Sequence, residues 1–262
     1  MQTHLSPEPA LGPPAATAFA AVALPSRRVV DAPTRMFHWL FALCFVGAYL
    51  SADSDHWRLL HVTLGYTLAG LLGFRLLYGL LGPRHARLSA MWRKLAGAPA
   101  WFRSLTQVRS LADINGRQGQ NLLMALGVVS LLLIVLPLTL TGYGTYNDWG
   151  NFFGGDWLED VHEFFGETML ILVLAHVALI AALSLLRRKN QALPMVTGRV
   201  EGAGPDLAKW NHVWLAALLL IAVLAFWSWH WQQSPIGLVS APAWSGLASD
   251  QRSDHHRDED DD

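Results

Sequence analysis

Two histidines, His162 and His176, stand fourteen residues apart in a run that opens Val161-His162-Glu163-Phe164-Phe165-Gly166 and continues apolar to the second of them. Read as a helix, fourteen steps of 100° return to within about 40° of the starting direction, so both imidazoles face the same way. A rise of about 1.5 Å per residue sets them roughly 21 Å apart along the axis. Neutral imidazole is a good ligand for iron. One helix that offers two such ligands on one face at two depths is what a bundle needs to hold two stacked redox centres.

The composition says what surrounds them. Apolar residues make up 52% of the chain and twelve residues are Trp, and mean hydropathy is positive. These features belong to the membrane class. The formal net charge of −1 says nothing about partners. The single Cys, Cys44, excludes an internal disulfide and covalent attachment of haem through paired cysteines. No phosphate-binding glycine loop and no nucleic-acid patch is present, so no nucleic-acid partner is expected.

Five apolar runs have the length of a bilayer crossing: about 36–52, 59–81, 122–141, 161–186 and 213–231. The first follows Asp31-Ala32-Pro33-Thr34, a helix start in which Thr34 is the expected N-cap. The second contains Gly65, Gly70 and Gly73, which would admit a neighbouring helix or a flat cofactor. Pro137 is expected to kink the third. Trp227, Trp229 and Trp231 end the fifth and suit a membrane–water boundary. Between the second and third, residues 84–120 alternate Arg and Lys with aromatics, the pattern of short helices lying among lipid headgroups. Residues 1–30 read as a disordered cytoplasmic tail: the apolar stretch 15–24 is short and lacks the basic start of a signal peptide. The acidic C-terminal tail, with His255 and His256, reads as disordered too.

Nearly all Lys and Arg fall in the N-terminal tail, the 84–120 segment and the 187–209 loop, whereas residues 142–165 hold none. The positive-inside rule then sets the N-terminus in the cytoplasm and the acidic 142–165 loop outside, with the C-terminus outside after five spans. Depths follow. His61 and His162 enter their spans from the outer side; His38 and His176 lie toward the inner side. The inner depths match if the fourth span tilts or projects past the membrane. Each pair, His61 with His162 and His38 with His176, comes from two different spans, and a flat macrocycle with two axial positions fits between. Polar side chains in a membrane are costly and usually functional. The four together therefore read as two bis-histidine haems b rather than as boundary histidines bonded to headgroups or backbone. Arg75, fourteen residues after His61, lies near the inner level; it either pairs with a haem propionate or snorkels to headgroups. Glu163 and Glu167 read as interfacial acids. His56, His85, His212 and His230 sit at or beyond span ends and are poor ligand candidates.

The sequence resembles the bacterial cytochrome b561 group, which includes the b-type cytochrome subunits of nickel–iron hydrogenases. The matching pieces are Pro33-Thr34-Arg35-Met36-Phe37-His38-Trp39, His61-Val62-Thr63-Leu64-Gly65-Tyr66, Phe74-Arg75-Leu76-Leu77-Tyr78-Gly79 with Gly82-Pro83, Thr141-Gly142, the His162 to His176 segment, and Met195-Val196-Thr197-Gly198. One departure is the turn before the third span, Gly116-Arg117-Gln118-Gly119, which lacks the His and Pro common in that group. The resemblance implies an all-α, multi-pass transmembrane helical bundle, with four of about five spans forming a core that carries two haems b on His38, His61, His162 and His176. The expected organisation is a tail over 1–30, the di-haem membrane domain over 31–200, an added span over 201–232 and an acidic tail over 233–262. The implied role is electron transfer in the bacterial inner membrane between membrane quinone and a redox partner at the outer face, such as a c-type cytochrome, with membrane lipid around the bundle. A stand-alone oxidoreductase acting on superoxide or quinol, and a non-redox anchor or haem carrier, are the competing expectations.

Overall fold

Inside a bilayer no water is at hand for backbone N–H and C=O groups, so a crossing chain folds into helices that satisfy them internally. The computed structural model describes residues 25–107, 116–150 and 157–233, and these are helical almost throughout. In order, strand β1 (Ser26–Arg28) precedes helix α1 (Ala32–Leu50). A 3-10 turn (Asp55–Trp57) leads into α2 (Arg58–Leu81). Two short helices follow, α3 (Leu88–Ala96) and α4 (Ala98–Gln107). Next come α5 (Gly116–Tyr146), α6 (Trp157–Arg187), the single turn α7 (Leu193–Thr197), strand β2 (Arg199–Glu201) and α8 (Val213–Gln233). The all-α bundle expected from the sequence is the fold.

Four stretches are long and apolar enough to cross a membrane: the 3-10 turn with α2, α5, α6 and α8. The fifth apolar run, α1, is shorter at 19 residues and begins with Pro33, Arg35 and His38, which make its first half polar. It is nonetheless part of the bundle, since Phe37, Cys44, Phe45 and Ala48 lie in the central cluster with Leu71 of α2, Val135 of α5 and Met169 of α6. α6 has 31 residues, about 46 Å of helix against roughly 30 Å of bilayer hydrocarbon. It therefore tilts or projects, the condition under which the inner histidine depths match. Pro137 lies inside α5, which continues through Gly142 to Tyr146, so the outer loop is shorter than the sequence suggested. Gly116–Gly119 forms the first turn of the same helix.

The start of α1 corrects the sequence reading. Asp31, not Thr34, is the N-cap, and its Oδ1 accepts from the Thr34 amide at 3.2 Å. Pro33 is tolerated in that first turn because its missing N–H has no helical partner there. Ser26–Arg28 is not tail either: it pairs antiparallel with Arg199–Glu201. Residues 1–24 and 234–262, on which the remaining tail expectations fall, lie outside the described residues.

The Met195–Gly198 motif closes over this end of the bundle. The Gly198 carbonyl accepts from the amides of Val29 and Val30. Arg35 Nη1 donates to the Val196 carbonyl at 2.7 Å, and Trp39 Nε1 to that of Met195 at 2.9 Å. Gly198 sits at φ 76°, where a Cβ would lie 2.7 Å from the Val30 carbonyl oxygen. Only glycine reverses the chain there without strain.

α8 is tied into the bundle rather than appended to it. Thr67 Oγ1 of α2 accepts from Trp227 Nε1 at 2.9 Å, and Thr63 Oγ1 lies 2.9 Å from His230 Nδ1. Trp227 thus bonds inward, while Trp229 and Trp231 remain exposed.

Asp31 also knits the inner end together. Fully buried, its Oδ2 accepts from Tyr78 Oη of α2 and, at 2.9 Å, from His85 Nε2 in the turn before α3. Burial works against the carboxylate, but the hydrogen bonds from Thr34, Tyr78 and His85, together with the charge of His85, outweigh it and hold the pKa below the ordinary 3.8. Folding therefore favours the ionised form. The stabilisation is fully present above the ordinary value and fades as pH falls through the lower folded one. Removing one partner of a buried bonded pair costs about 3 kcal/mol, so Asp31→Ala should lower the detergent-solubilised melting temperature by roughly 6–12 °C at neutral pH. Circular-dichroism melts read this; a melting temperature unchanged by the substitution would remove Asp31 from the role of latch.

Candidate functional site

The four histidines are set by helix geometry. His38 is in the second turn of α1, His61 in the first turn of α2, and His162 and His176 lie on α6. α1 packs on α2, and α5 lies against both α2 and α6, which brings the rings of His61 and His162 together. The His61 and His162 ring centroids are 6.0 Å apart and their planes are nearly perpendicular, at 86°.

Each of these rings is held by one nitrogen. His61 Nδ1 lies 2.8 Å from the Ala48 carbonyl oxygen, and His162 Nδ1 lies 3.0 Å from that of Leu138, with Thr141 Oγ1 at 3.3 Å. A carbonyl can only accept, so Nδ1 carries the proton and Nε2 keeps its lone pair. Neutral imidazole with a free Nε2 is a metal-binding tautomer, fixed by an outer bond to backbone.

Helix carbonyls are ordinarily covered by the turn that follows, and these two are reached in different ways. Ala48 lies in the last turn of α1, where its carbonyl is shared: it also accepts from the Ser51 amide at 3.2 Å and from Ser51 Oγ at 3.1 Å. Leu138 is mid-helix, but the residue one turn on is Gly142. A Cβ at Gly142 would lie 2.7 Å from His162 Cε1, so the ring reaches the carbonyl only because position 142 has no side chain.

The two rings line a cavity of about 600 Å³ at the outer end of α1, α2, α5 and α6. Its size falls within the roughly 300–1,000 Å³ of small-molecule and cofactor pockets. Gly65 faces it, and a Cβ there would meet nothing within 4 Å. Gly70 and Gly73 are open likewise, so no neighbouring helix packs closely on these three glycines. The mouth is acidic: Asp53, Asp55, Glu159, Glu163 and Glu167 line it. Glu167 also accepts from Tyr49 Oη of α1 at 2.9 Å, so it is more than an interfacial acid. Arg58 is the one Lys or Arg among the described residues of the lining, and its guanidinium lies 5.9 Å from the centre of the Tyr146 ring.

At the other end, His38 and His176 are close enough to interact electrostatically. Both present a buried Nδ1 with no hydrogen-bond partner among the described residues. Buried polar atoms are rarely left so, and such an orphan is in keeping with a ring whose other nitrogen serves a ligand. Arg75 is buried; its Nη1 donates to the Ala86 carbonyl at 3.0 Å, within the field of Asp31. It is therefore a packed group rather than one snorkelling to headgroups. Among the other histidines, His85 serves Asp31 and His230 serves Thr63. No group of three or more His, Cys, Asp or Glu able to hold a metal occurs among the described residues. Each site therefore offers two imidazoles, which suits a cofactor whose metal is already ligated in a plane. The donor set and the cavity both fit haem.

Sequence reasoning paired the histidines by depth but passed over Arg58, Gly142 and the two carbonyls. Gly142 carried a signal, the Thr141-Gly142 pair; the carbonyls carried none, because backbone groups are the same at every position.

No curated protein and no solved structure matches the chain. A family model described as prokaryotic cytochrome b561 matches residues 29–198, from just after β1 to the glycine that ends α7. With the four histidines, the clasp at Gly198 and every long apolar helix except α8 inside that range, the chain belongs to the prokaryotic cytochrome b561 family of membrane electron-transfer proteins that use haem b.

Proposed function

We propose that this chain conducts electrons across the bacterial inner membrane through two bis-histidine haems b, between a redox protein at the outer face and membrane quinone. The observation that carries the reading is the outer histidine pair. Imidazoles bound to opposite sides of one metal by bonds of about 2 Å have ring centroids roughly 6 Å apart, and His61 and His162 stand 6.0 Å apart. Their Nδ1 atoms are tied to Ala48 and Leu138, which leaves Nε2 of each as the ligand. His38 and His176 form the corresponding inner pair.

When bound, haem supplies one-electron chemistry at a potential tuned by axial ligands, hydrogen bonding and burial. The protein's own part is to fix those conditions. The carbonyl bonds raise the basicity of the outer imidazoles and hold their orientation. Arg58 is the cation at the outer cavity able to meet a propionate. A guanidinium has five N–H donors, and Arg75 gives one to Ala86, so it can also serve a propionate at the inner level. The acidic mouth favours a cationic partner by electrostatic steering, such as a basic c-type cytochrome. The same charges repel superoxide, which weakens the reading of a stand-alone superoxide oxidase relative to that of an electron conductor.

Three outcomes test this. Dithionite-reduced minus oxidised spectra, with haem measured per chain, should show two haems b in wild type and loss of a different one in His162→Ala and His176→Ala. A haem content unaffected by both substitutions would remove the histidines from the role of ligands. Gly142→Ala should disturb the outer haem alone, seen as loss or broadening of one component of the reduced spectrum. By propensity alone that change favours the helix by up to about 1 kcal/mol, so an unperturbed spectrum would show that ring and carbonyl do not need the glycine. Reduction or oxidation by a basic c-type cytochrome should slow about tenfold or more as salt shortens the screening length from about 30 Å to about 8 Å. A rate indifferent to salt would point to a neutral or acidic partner.

A further inference from the structure

Where α2 gives way to α3, three arginines converge. Arg84, Arg87 and Arg93 line, with Ser89, a concavity of about 270 Å³. Among the described residues no carboxylate lines it, and the one ion pair is that of His85 with Asp31. Three guanidiniums facing one concavity repel each other unless an anion lies between them. Arg87 is held in place, since its Nε donates to the Gly82 carbonyl at 3.0 Å. Nothing at the start of α3 supplies the missing charge: its N-cap, Arg87, makes no side-chain cap bond and its first turn has no acid.

The surroundings say what kind of anion. The last turns of α2, immediately before Arg84, expose Leu77, Leu80 and Leu81, the last at 83%. They recur at helical spacing, so they form one apolar strip that leads to the concavity. Trp92, next to Arg93, is 72% exposed. The opposite face of α3 is spent on packing: Leu88 lies against Gly79, and Met91 against Arg75. A cationic pocket bordered by an apolar strip and an exposed Trp, at the end of a membrane-crossing helix, selects a molecule with a phosphate head and an acyl tail.

We propose that Arg84, Arg87 and Arg93 bind the headgroup phosphate of one anionic glycerophospholipid, whose acyl chains run along Leu77, Leu80 and Leu81. Ser89 adds a hydroxyl donor, and the volume suits a single phosphodiester head. The bound lipid seats α3 against the bilayer surface. By the same contact it holds the Gly82–Arg87 turn, which carries His85 to Asp31. This site is independent of the haem reading, because none of its residues lies in either histidine pair.

The test uses the haem-loaded protein in neutral detergent and counts retained lipid by native mass spectrometry. Phosphatidylglycerol and phosphatidylcholine with matched acyl chains are supplied together, with and without millimolar inorganic phosphate. Wild type should retain phosphatidylglycerol in preference by about tenfold or more, and phosphate should not displace it. The combined variant Arg84→Gln, Arg87→Gln, Arg93→Gln should lose the preference while its haem spectrum stays that of wild type. Arg93→Glu alone, on an exposed face of α3, should also lose it and serves if the combined variant does not fold. Equal retention of the two lipids by wild type, an undiminished preference in a folded variant, or full displacement by phosphate would overturn the proposal.

Discussion

An imidazole has two nitrogens, and a buried one must find a partner for each. That constraint organises the outer half of this protein. His61 and His162 each give Nδ1 to a backbone carbonyl and keep Nε2 for a ligand. An α-helix leaves few carbonyls open to a neighbour, so the constraint passes to the backbone that supplies them. α1 must end just beyond Ala48, and α5 must lack a side chain at 142. The end of one helix and one glycine in another are therefore parts of the site, although neither touches a cofactor. The rest of the bundle keeps these parts in register. Tyr49 bonds Glu167 across α1 and α6, and Thr63 and Thr67 anchor α8 behind α2.

The inner half solves a different problem. Neither His38 Nδ1 nor His176 Nδ1 has a hydrogen-bond partner among the described residues. Nδ1 is buried on both. Ring orientation there depends on packing alone, and the elements that press on it are the ones locked by polar contacts at the inner end: Asp31 with Tyr78 and His85, and the Met195–Gly198 clasp on Arg35 and Trp39. The outer pair is oriented by directed bonds and the inner pair by a braced scaffold. The two histidine pairs thus sit in different surroundings, and in the two-haem proposal such differences would separate the two potentials.

Much of this was legible in the sequence. Span lengths, the all-α class and the grouping of the four histidines followed from period and depth, because a helix converts residue number into position with little freedom. Of the residues 84–120 that read as short helices, 88–107 form α3 and α4, 108–115 lie outside the described residues and 116–120 open α5 instead. What was not legible depends on contacts between distant parts of the chain. Asp31 rather than Thr34 caps α1, since the choice rests on Tyr78 and His85 arriving from α2 and the turn beyond it. Ser26–Arg28 has no strand signal of its own and becomes one only against Arg199–Glu201. Trp227 belonged by pattern to a membrane–water boundary and His230 to a span end, yet two threonines of α2 draw them inward.

The distribution of charge ties the two ends together. At the outer end five carboxylates and a single Arg surround the cavity; at the inner end arginines gather around the α2–α3 turn. In the two-haem proposal each site would receive two propionates, anions that need cations. Arg58 stands at one end and Arg75 at the other, both on α2, one before His61 and one after it. Arg75 is buried and braced through Ala86, whereas Arg58 lies at the mouth of an open cavity over Tyr146. Neutralisation at the inner end is therefore shielded from salt, and at the outer end it is shared with solvent and with whatever docks there. A cationic partner approaching the outer carboxylates adds positive charge beside His61 and His162, which favours the reduced state of a centre held between them. If the proposed haem and cationic partner bind here, docking and potential would be coupled through this one cavity, and the coupling would weaken as ionic strength rises.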